Sequence, residues 1–260
     1  MSNKLLLLFL SFVLLCFTST FAQEDEEFFE DMFLNPVFQQ GSSLFETDGQ
    51  IIEGSDWEWL HPLPNGNTLN WVQVIDANTW IMAGFGGTFM KTTDGGTTFT
   101  VYQNVGGFTT AGIYKTINDG HFFDANTGVI CGSSGLLLRT TDGGATWDSV
   151  GVGVSSTIYS MYFLDANVGF ITGTTSIDVW KTTDAGLTWN VLPGGILGTA
   201  YEIYAIDEDT LFYGSTSGDL GRSNDGGTTW IEVDIGISET IREIVFSSPT
   251  QGWAVGDDGA

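Results

Sequence analysis

Short apolar runs rich in β-branched and aromatic residues, each bounded by Gly, Asn, Asp or Ser, recur along most of the chain and predict β-strands. One stretch shows the pattern in full: "STIYSMYFLD" (Ser156 to Asp165), "VGFITG" (Val168 to Gly173), "DVWKTT" (Asp178 to Thr183) and "LTWNVL" (Leu187 to Leu192) read as four successive strands. Other stretches align with it. First turns fall at "DANTW" (Asp76), "DANTG" (Asp124), "DANVG" (Asp165) and "DEDTL" (Asp207), and second turns at "GFGGT", "GSSGL", "GTTSI" and "GSTSG". No segment sustains the helical period, so the pattern predicts an all-β domain.

Between the third and fourth strands of each unit the chain returns to nearly the same words: "KTTDGGTTF", "RTTDGGATW", "KTTDAGLTW" and "RSNDGGTTW". Their final aromatics, Phe99, Trp147, Trp189 and Trp230, are spaced by 48, 42 and 41 residues, and Trp57 in "GSDWEWL" precedes Phe99 by another 42. A period of roughly 40–45 residues with β composition points to four-stranded propeller blades. The box is read as a turn clamp. Its Asp (Asp94, Asp142, Asp184, Asp225) is the residue type that folds its carboxylate back onto following backbone N–H groups. The glycine two places later (Gly96, Gly144, Gly186, Gly227) takes a backbone angle that a side chain would forbid. The Thr before the aromatic fits a strand start, and the aromatic buries a ring between sheets.

These residues resemble the Asp-box motif, Ser/Thr-x-Asp-x-Gly-x-Thr-Trp, which occurs in sialidases, sortilin-type receptors, xyloglucan-cutting glycoside hydrolases and proteins similar to the photosystem II stability and assembly factor. The segment "FFDANTGVICGSSGLLLRTTDGGATW" reads as a whole blade of that last group, which is also found in exported bacterial proteins. The resemblance covers about Trp57 to Ala260. It implies a β-propeller in which the boxes are structural and lie on the face away from the binding site.

Composition narrows the function. Asp+Glu is 32 against 7 Lys+Arg, a net charge of −25, which makes nucleic acid and anionic membranes poor partners. The opening "MSNK", the 13-residue apolar run Leu5 to Phe17 and the small-residue end "TSTFA" read as a signal peptide over residues 1–22. The run is too short to span a bilayer, which takes roughly 20 residues. Export to the periplasm, cell surface or medium is therefore expected, with an acidic leader over 23–53 and blades over 54–260. Mass spectrometry of exported material should find an unlipidated chain beginning near Gln23. An acylated Cys16, or an intact Met1 in membranes, would refute this. One cysteine, Cys131, then remains, so no intrachain disulfide forms, and a small buried hydrophobe is the expected role.

Four of the remaining cations, Lys91, Arg139, Lys181 and Arg222, sit at the end of the third strand of each unit, leaving Lys115 and Arg242 for individual roles. A sialidase needs an arginine cluster to grip its carboxylate, and Arg242 alone outside the repeat positions argues against that activity. No cofactor motif appears, and neither His61 nor His121 has a second ligand at metal-binding spacing. Meander topology puts ligand contacts on the face opposite the boxes. Aligned inner strands place Asn70, Tyr159, Tyr201 and Arg242 at one level there, and Trp71, Asp119, Ser160, Glu202 and Glu243 at the next. Trp71, Tyr159, Tyr201, Glu202, Arg242 and Glu243 are the candidate ligand face. The expectation is an exported non-enzymatic scaffold for a protein or carbohydrate partner. The alternatives are a secreted xyloglucan-cutting type of glycoside hydrolase, which would need two close carboxylates on that face, and a cell-surface adhesin. A fifth unit contributes "TIREIVF" and "GWAVG", and Trp57 to Leu60 read as a donated fourth strand, so the ring is expected to be incomplete and the chain a piece of a longer protein.

Overall fold

The structure is a computed structural model that describes residues 46–47, 50–51, 67–107, 111–153, 155–174, 179–196 and 198–259. The segment read as a signal peptide, His61 and the strand expected at Trp57 to Leu60 lie outside these residues. Of the expected leader, β1 (Glu46–Thr47) and β2 (Gln50–Ile51) are described, and they pair antiparallel. They belong to one compact unit, Asn3–Leu60, and all later strands to another that includes His61–Ala260.

In that second unit the strands form successive antiparallel meanders. Blade 1 comprises β3 (Leu69–Val74), β4 (Trp80–Gly84), β5 (Thr88–Thr92) and β6 (Thr100–Tyr102). Blade 2 comprises β7 (Ile117–Phe122), β8 (Gly128–Gly132), β9 (Leu136–Thr140) and β10 (Asp148–Ser149). Blade 3 comprises β11 (Ile158–Phe163), β12 (Gly169–Gly173), β13 (Trp180–Thr182) and β14 (Asn190–Val191). Blade 4 comprises β15 (Ala200–Ala205), β16 (Leu211–Ser215), β17 (Asp219–Ser223) and β18 (Ile231–Asp234). Blade 5 pairs β19 (Ile241–Ser248) with β20 (Gln251–Gly256). The first strands neighbour one another in sequence, β3 on β7, β7 on β11, β11 on β15 and β15 on β19, as the inner strands of a propeller do. Among the described residues no strand pairing joins blade 5 to blade 1, so the described blades form an open arc, consistent with an incomplete ring.

The core is four seams, one between each pair of neighbouring blades. Second strands such as "GVICG", "GFITG" and "LFYGS" are buried at every position because each lies inside its sheet with another sheet on either side, which accounts for their continuous apolar runs. The seam between blades 1 and 2 holds Ile81, Phe89, Phe122, Ile130 and Leu138, with Trp147 packed against it. Val129, Cys131, Met161, Phe163 and Trp189 fill the next. Phe170, Ile203, Tyr213 and Trp230 fill the third, and Phe212, Ile241 and Ile244 the fourth. Each box tryptophan thus packs back onto the preceding blade. Cys131 is fully buried in β8, and burial pushes its thiol pKa well up.

Fourth strands are shorter than the sequence pattern implies. They begin one residue after the box aromatic, at Thr100, Asp148, Asn190 and Ile231. The Thr before each aromatic is held by the turn instead.

Candidate functional site

At one end of the blades the boxes are closed hydrogen-bond circuits. In blade 1 the Asp94 Oδ1 accepts from the Thr98 N–H at 2.8 Å and from the Thr92 hydroxyl at 2.8 Å, while Oδ2 accepts from the Thr98 hydroxyl at 2.6 Å. Thr92 Oγ1 in turn accepts from the Gly96 N–H at 3.0 Å. Blades 2, 3 and 4 repeat the circuit at Asp142 with Thr140 and Thr146, at Asp184 with Thr182 and Thr188, and at Asp225 with Ser223 and Thr229. Hydrogen bonds from Thr98, Thr146 and Thr229 hold the Asp94, Asp142 and Asp225 pKa values down at about 2. At Asp184 burial opposes the shift, and the bonds from Thr188 and Thr182 outweigh it. Every carboxylate is committed to its own turn.

The box glycines serve the same joint. Gly144 has φ +91°, and a Cβ there would run into the Phe89 ring of the preceding blade. Cations tie neighbouring blades at this end. Lys91 donates to the Ala125 carbonyl, Arg139 to the Ala185 carbonyl at 3.4 Å, and Lys181 pairs with Glu208 at 2.8 Å. The turns at Asp76, Asp124, Asp165 and Asp207 share the end, each carboxylate accepting the N–H groups two and three residues on.

The opposite end is built differently. Each inner strand carries a register shift at the same place, between Leu69 and Trp71, Ile117 and Asp119, Ile158 and Ser160, Ala200 and Glu202, and Ile241 and Glu243. The skipped residues are Asn70, Asn118, Tyr159, Tyr201 and Arg242. A β-bulge re-aims a side chain, and here it does so in five consecutive blades. Two residues before each bulge stands a threonine, Thr68, Thr116, Thr157, Thr199 or Thr240, whose carbonyl accepts the first N–H of the connection after the second strand. That recurrent threonine is the sequence signal that could have located the bulges.

Three of the five bulge residues form a row. The Tyr159 and Tyr201 rings stack with centroids 4.5 Å apart and planes 17° apart. The Arg242 guanidinium lies 4.1 Å from the Tyr201 centroid and is gripped by Asp257 through Nε at 2.9 Å and Nη2 at 2.6 Å. Asp257 raises the Arg242 pKa, and burial raises that of Tyr159. Blades 1 and 2 have asparagines instead, spent on the next inner strand: Asn70 donates to the Ile117 carbonyl and Asn118 to the Ile158 carbonyl, each at 2.8 Å. Arg242, which the sequence leaves for an individual role, is therefore an ion-pair partner of Asp257.

The second level is less uniform. Trp71 stands apart from the row, its ring stacked 6.2 Å from Phe122 in the first seam. Asp119 Oδ2 accepts the Met161 N–H at 2.8 Å, and the Ser160 hydroxyl accepts the Ile203 N–H at 3.2 Å. Glu202 and Glu243 occupy the matching positions in blades 4 and 5 and also have partners. At Asp119 and Ser160 the level forms rungs between neighbouring inner strands. Among the described residues no group of three or more His, Cys, Asp or Glu side chains could hold a metal ion. No helix there is long and apolar enough to cross a membrane.

Comparison with known proteins agrees with this architecture. Residues 108–233 match the family described as photosynthesis system II assembly factor YCF48. Among curated proteins no match is found. A solved structure of YCF48 bound to D1 peptide shares 18% identity, with 75% of this chain and 92% of that chain covered, at a TM-score of 0.41. A GH74 enzyme of Niastella koreensis shares 17% identity over 66% of this chain, at a TM-score of 0.51, and the match spans 30% of that enzyme. The WD40 propeller domain of Doa1 shares 12% identity at a TM-score of 0.56, with 74% of this chain and 63% of that one covered. At such identities the last two likenesses concern the fold alone. Residues 108–233 thus carry the repeat of the BNR-like, YCF48-type family, and the chain is a β-propeller protein similar to it.

Proposed function

We propose that the chain is an exported, non-enzymatic scaffold that holds a protein partner on the face opposite the boxes, with Tyr159, Tyr201 and Arg242 at the centre of the contact. The row itself carries the reading. Where blades 1 and 2 spend their bulge residue on a neighbouring strand, blades 3 to 5 present half-buried tyrosines and an arginine, the residue types enriched at interface cores. Their rigidity lowers the entropic cost of binding, because stacking and the Asp257 pair already fix each rotamer. Protein is preferred over carbohydrate as the partner because the matching family is described as an assembly factor. Export rests on the "MSNK" start and the apolar run Leu5 to Phe17. A hydrolase needs two uncommitted carboxylates at a defined separation, and Asp119 on this face is spent on two backbone N–H groups.

The test is photo-crosslinking in the producing cell. A crosslinking amino acid at position 201 should give adducts with a protein that mass spectrometry identifies, while one at Thr97, on the box face, should give none of it. Equal adducts from both positions, or a carbohydrate adduct at 201, would overturn the reading.

A further inference from the structure

We propose that the outer edge of β18, with the cavity beside it, is a second docking surface, and that its occupant is an extended basic peptide that adds to blade 4 as a fifth strand. The surface is distinct from the tyrosine row and does not depend on it. Exposed strand edges invite pairing, and proteins blunt them with short strands, prolines or charged side chains, lysine above all. The charges on β18 are both acidic, so they repel acidic strands and leave the edge open to a basic one. The outermost strands β10 and β14 are two residues long, and β6 is three. β18 has four residues, all exposed, with neither lysine nor proline. Ile231 and Val233 are 63% and 45% exposed, so the edge is also apolar on alternate positions.

Blade 4 departs from its siblings at this edge in a second, independent way. In blades 2 and 3 the box tryptophan donates its indole N–H to its own box, Trp147 to the Gly144 carbonyl and Trp189 to the Gly186 carbonyl. In blade 4 the equivalent Gly227 carbonyl accepts the Gly194 N–H at 3.0 Å, and the Trp230 indole N–H is buried without an acceptor among the described residues. Trp230 lines a cavity of about 270 Å³ together with Gly194, Gly195, Tyr213, Thr228, Thr229 and Glu232. The Tyr213 hydroxyl donates to Glu232 at 2.5 Å. The ring has room because its cross-strand partner is Gly221, whereas the equivalent pairs are Met82 with Met90, Ile130 with Leu138, and Ile171 with Trp180. The lining mixes polar and apolar surface about evenly, and the unsatisfied indole N–H of Trp230, one of the lining residues, carries a free-energy cost as it stands.

Strand geometry then reads out the occupant. Residues opposite each other in an antiparallel pair share a face. The peptide residue opposite Glu232 therefore lies beside the cavity and faces a carboxylate, while its two neighbours lie over Ile231 and Val233. The complementary segment is apolar, basic, apolar. A net charge of −25 and the acids Glu232 and Asp234 on the strand attract such a segment and oppose a second copy of this chain on the same edge.

The test uses the full chain and two synthetic peptides of alternating valines, one with a central lysine and one with glutamate in its place. The lysine peptide should bind in isothermal titration and slow hydrogen exchange of the amides of residues 231–234. The glutamate peptide, and the lysine peptide on Glu232→Gln protein, should bind at least about tenfold more weakly, about 1.4 kcal/mol. Tyr201→Ala protein should bind the lysine peptide unchanged. Absence of binding, binding that leaves residues 231–234 unprotected, equal affinity for both peptides, or protection that follows self-association of the chain would each overturn the proposal.

Discussion

Trp189→Ala protein is expected to lose about 3–5 kcal/mol of stability, the usual cost of truncating a buried aromatic. Trp189 is 6% exposed and stands edge-on to Phe163, with centroids 5.9 Å apart, in the seam that also buries Val129, Met161 and Ile171. Truncation opens a cavity between two blades that rest on each other. It also removes the donor to the Gly186 carbonyl at 3.2 Å. For a domain of this size the midpoint of thermal unfolding should fall by roughly 10 °C. Phe99→Ala should cost less than half as much, because among the described residues Phe99 joins none of the four seams. Equal losses for the two variants, or an unchanged midpoint for Trp189→Ala, would show that the ring does not hold the seam.

Acid should weaken the fold in two stages, and the first belongs to His121. Its ring is stacked 4.7 Å from Phe163 and sits edge-on to Phe123 at 5.0 Å, and burial lowers its pKa from 6.5 to about 4. The unfolded chain therefore takes up the proton first. Stability falls as pH drops below 6.5 and this loss is complete below about 4; at about 1.4 kcal/mol per pKa unit the full effect reaches about 3 kcal/mol. His121→Phe protein keeps the aromatic contacts and should show a flat profile across that window. The second stage belongs to the box carboxylates. With folded values of about 2 at Asp94, Asp142 and Asp225, their contribution is complete above the ordinary carboxylate range near 4 and is lost as pH falls toward 2. Chemical denaturation at a series of pH values separates the stages. A His121→Phe profile that still slopes as steeply as the native one would contradict the assignment.

The repeat was legible because it is written in residue types that have local reasons. Asp and Gly at fixed offsets make the box, and its carboxylate circuit needs nothing beyond residues such as Thr92 to Thr98. The alternation of strands and turns was legible for the same reason. The bulges were not, because an extra residue in one strand is visible only against the register of its partner, as between Ile158 and Ser160 of β11 against β12. For that reason the sequence alone does not place Asn118 at the level of Asn70 and Tyr159, and does not show that the Trp71 ring stacks on Phe122. The pairing of Arg242 with Asp257 was likewise hidden, because the two meet only when β19 and β20 pair. The pairing of Tyr213 with Gly221 across β16 and β17 is visible only in the same register.

The central claim is a division of labour, with boxes as joints and the tyrosine row as the contact surface. It is tested most directly by measuring the affinity of the crosslinked partner, once identified, for two variants shown by circular dichroism to stay folded. Tyr201→Ala should weaken binding at least about tenfold, about 1.4 kcal/mol, while Asp225→Ala should lower the unfolding midpoint and leave affinity within about twofold. The reverse pattern, with binding lost at Asp225 and kept at Tyr201, would contradict the account.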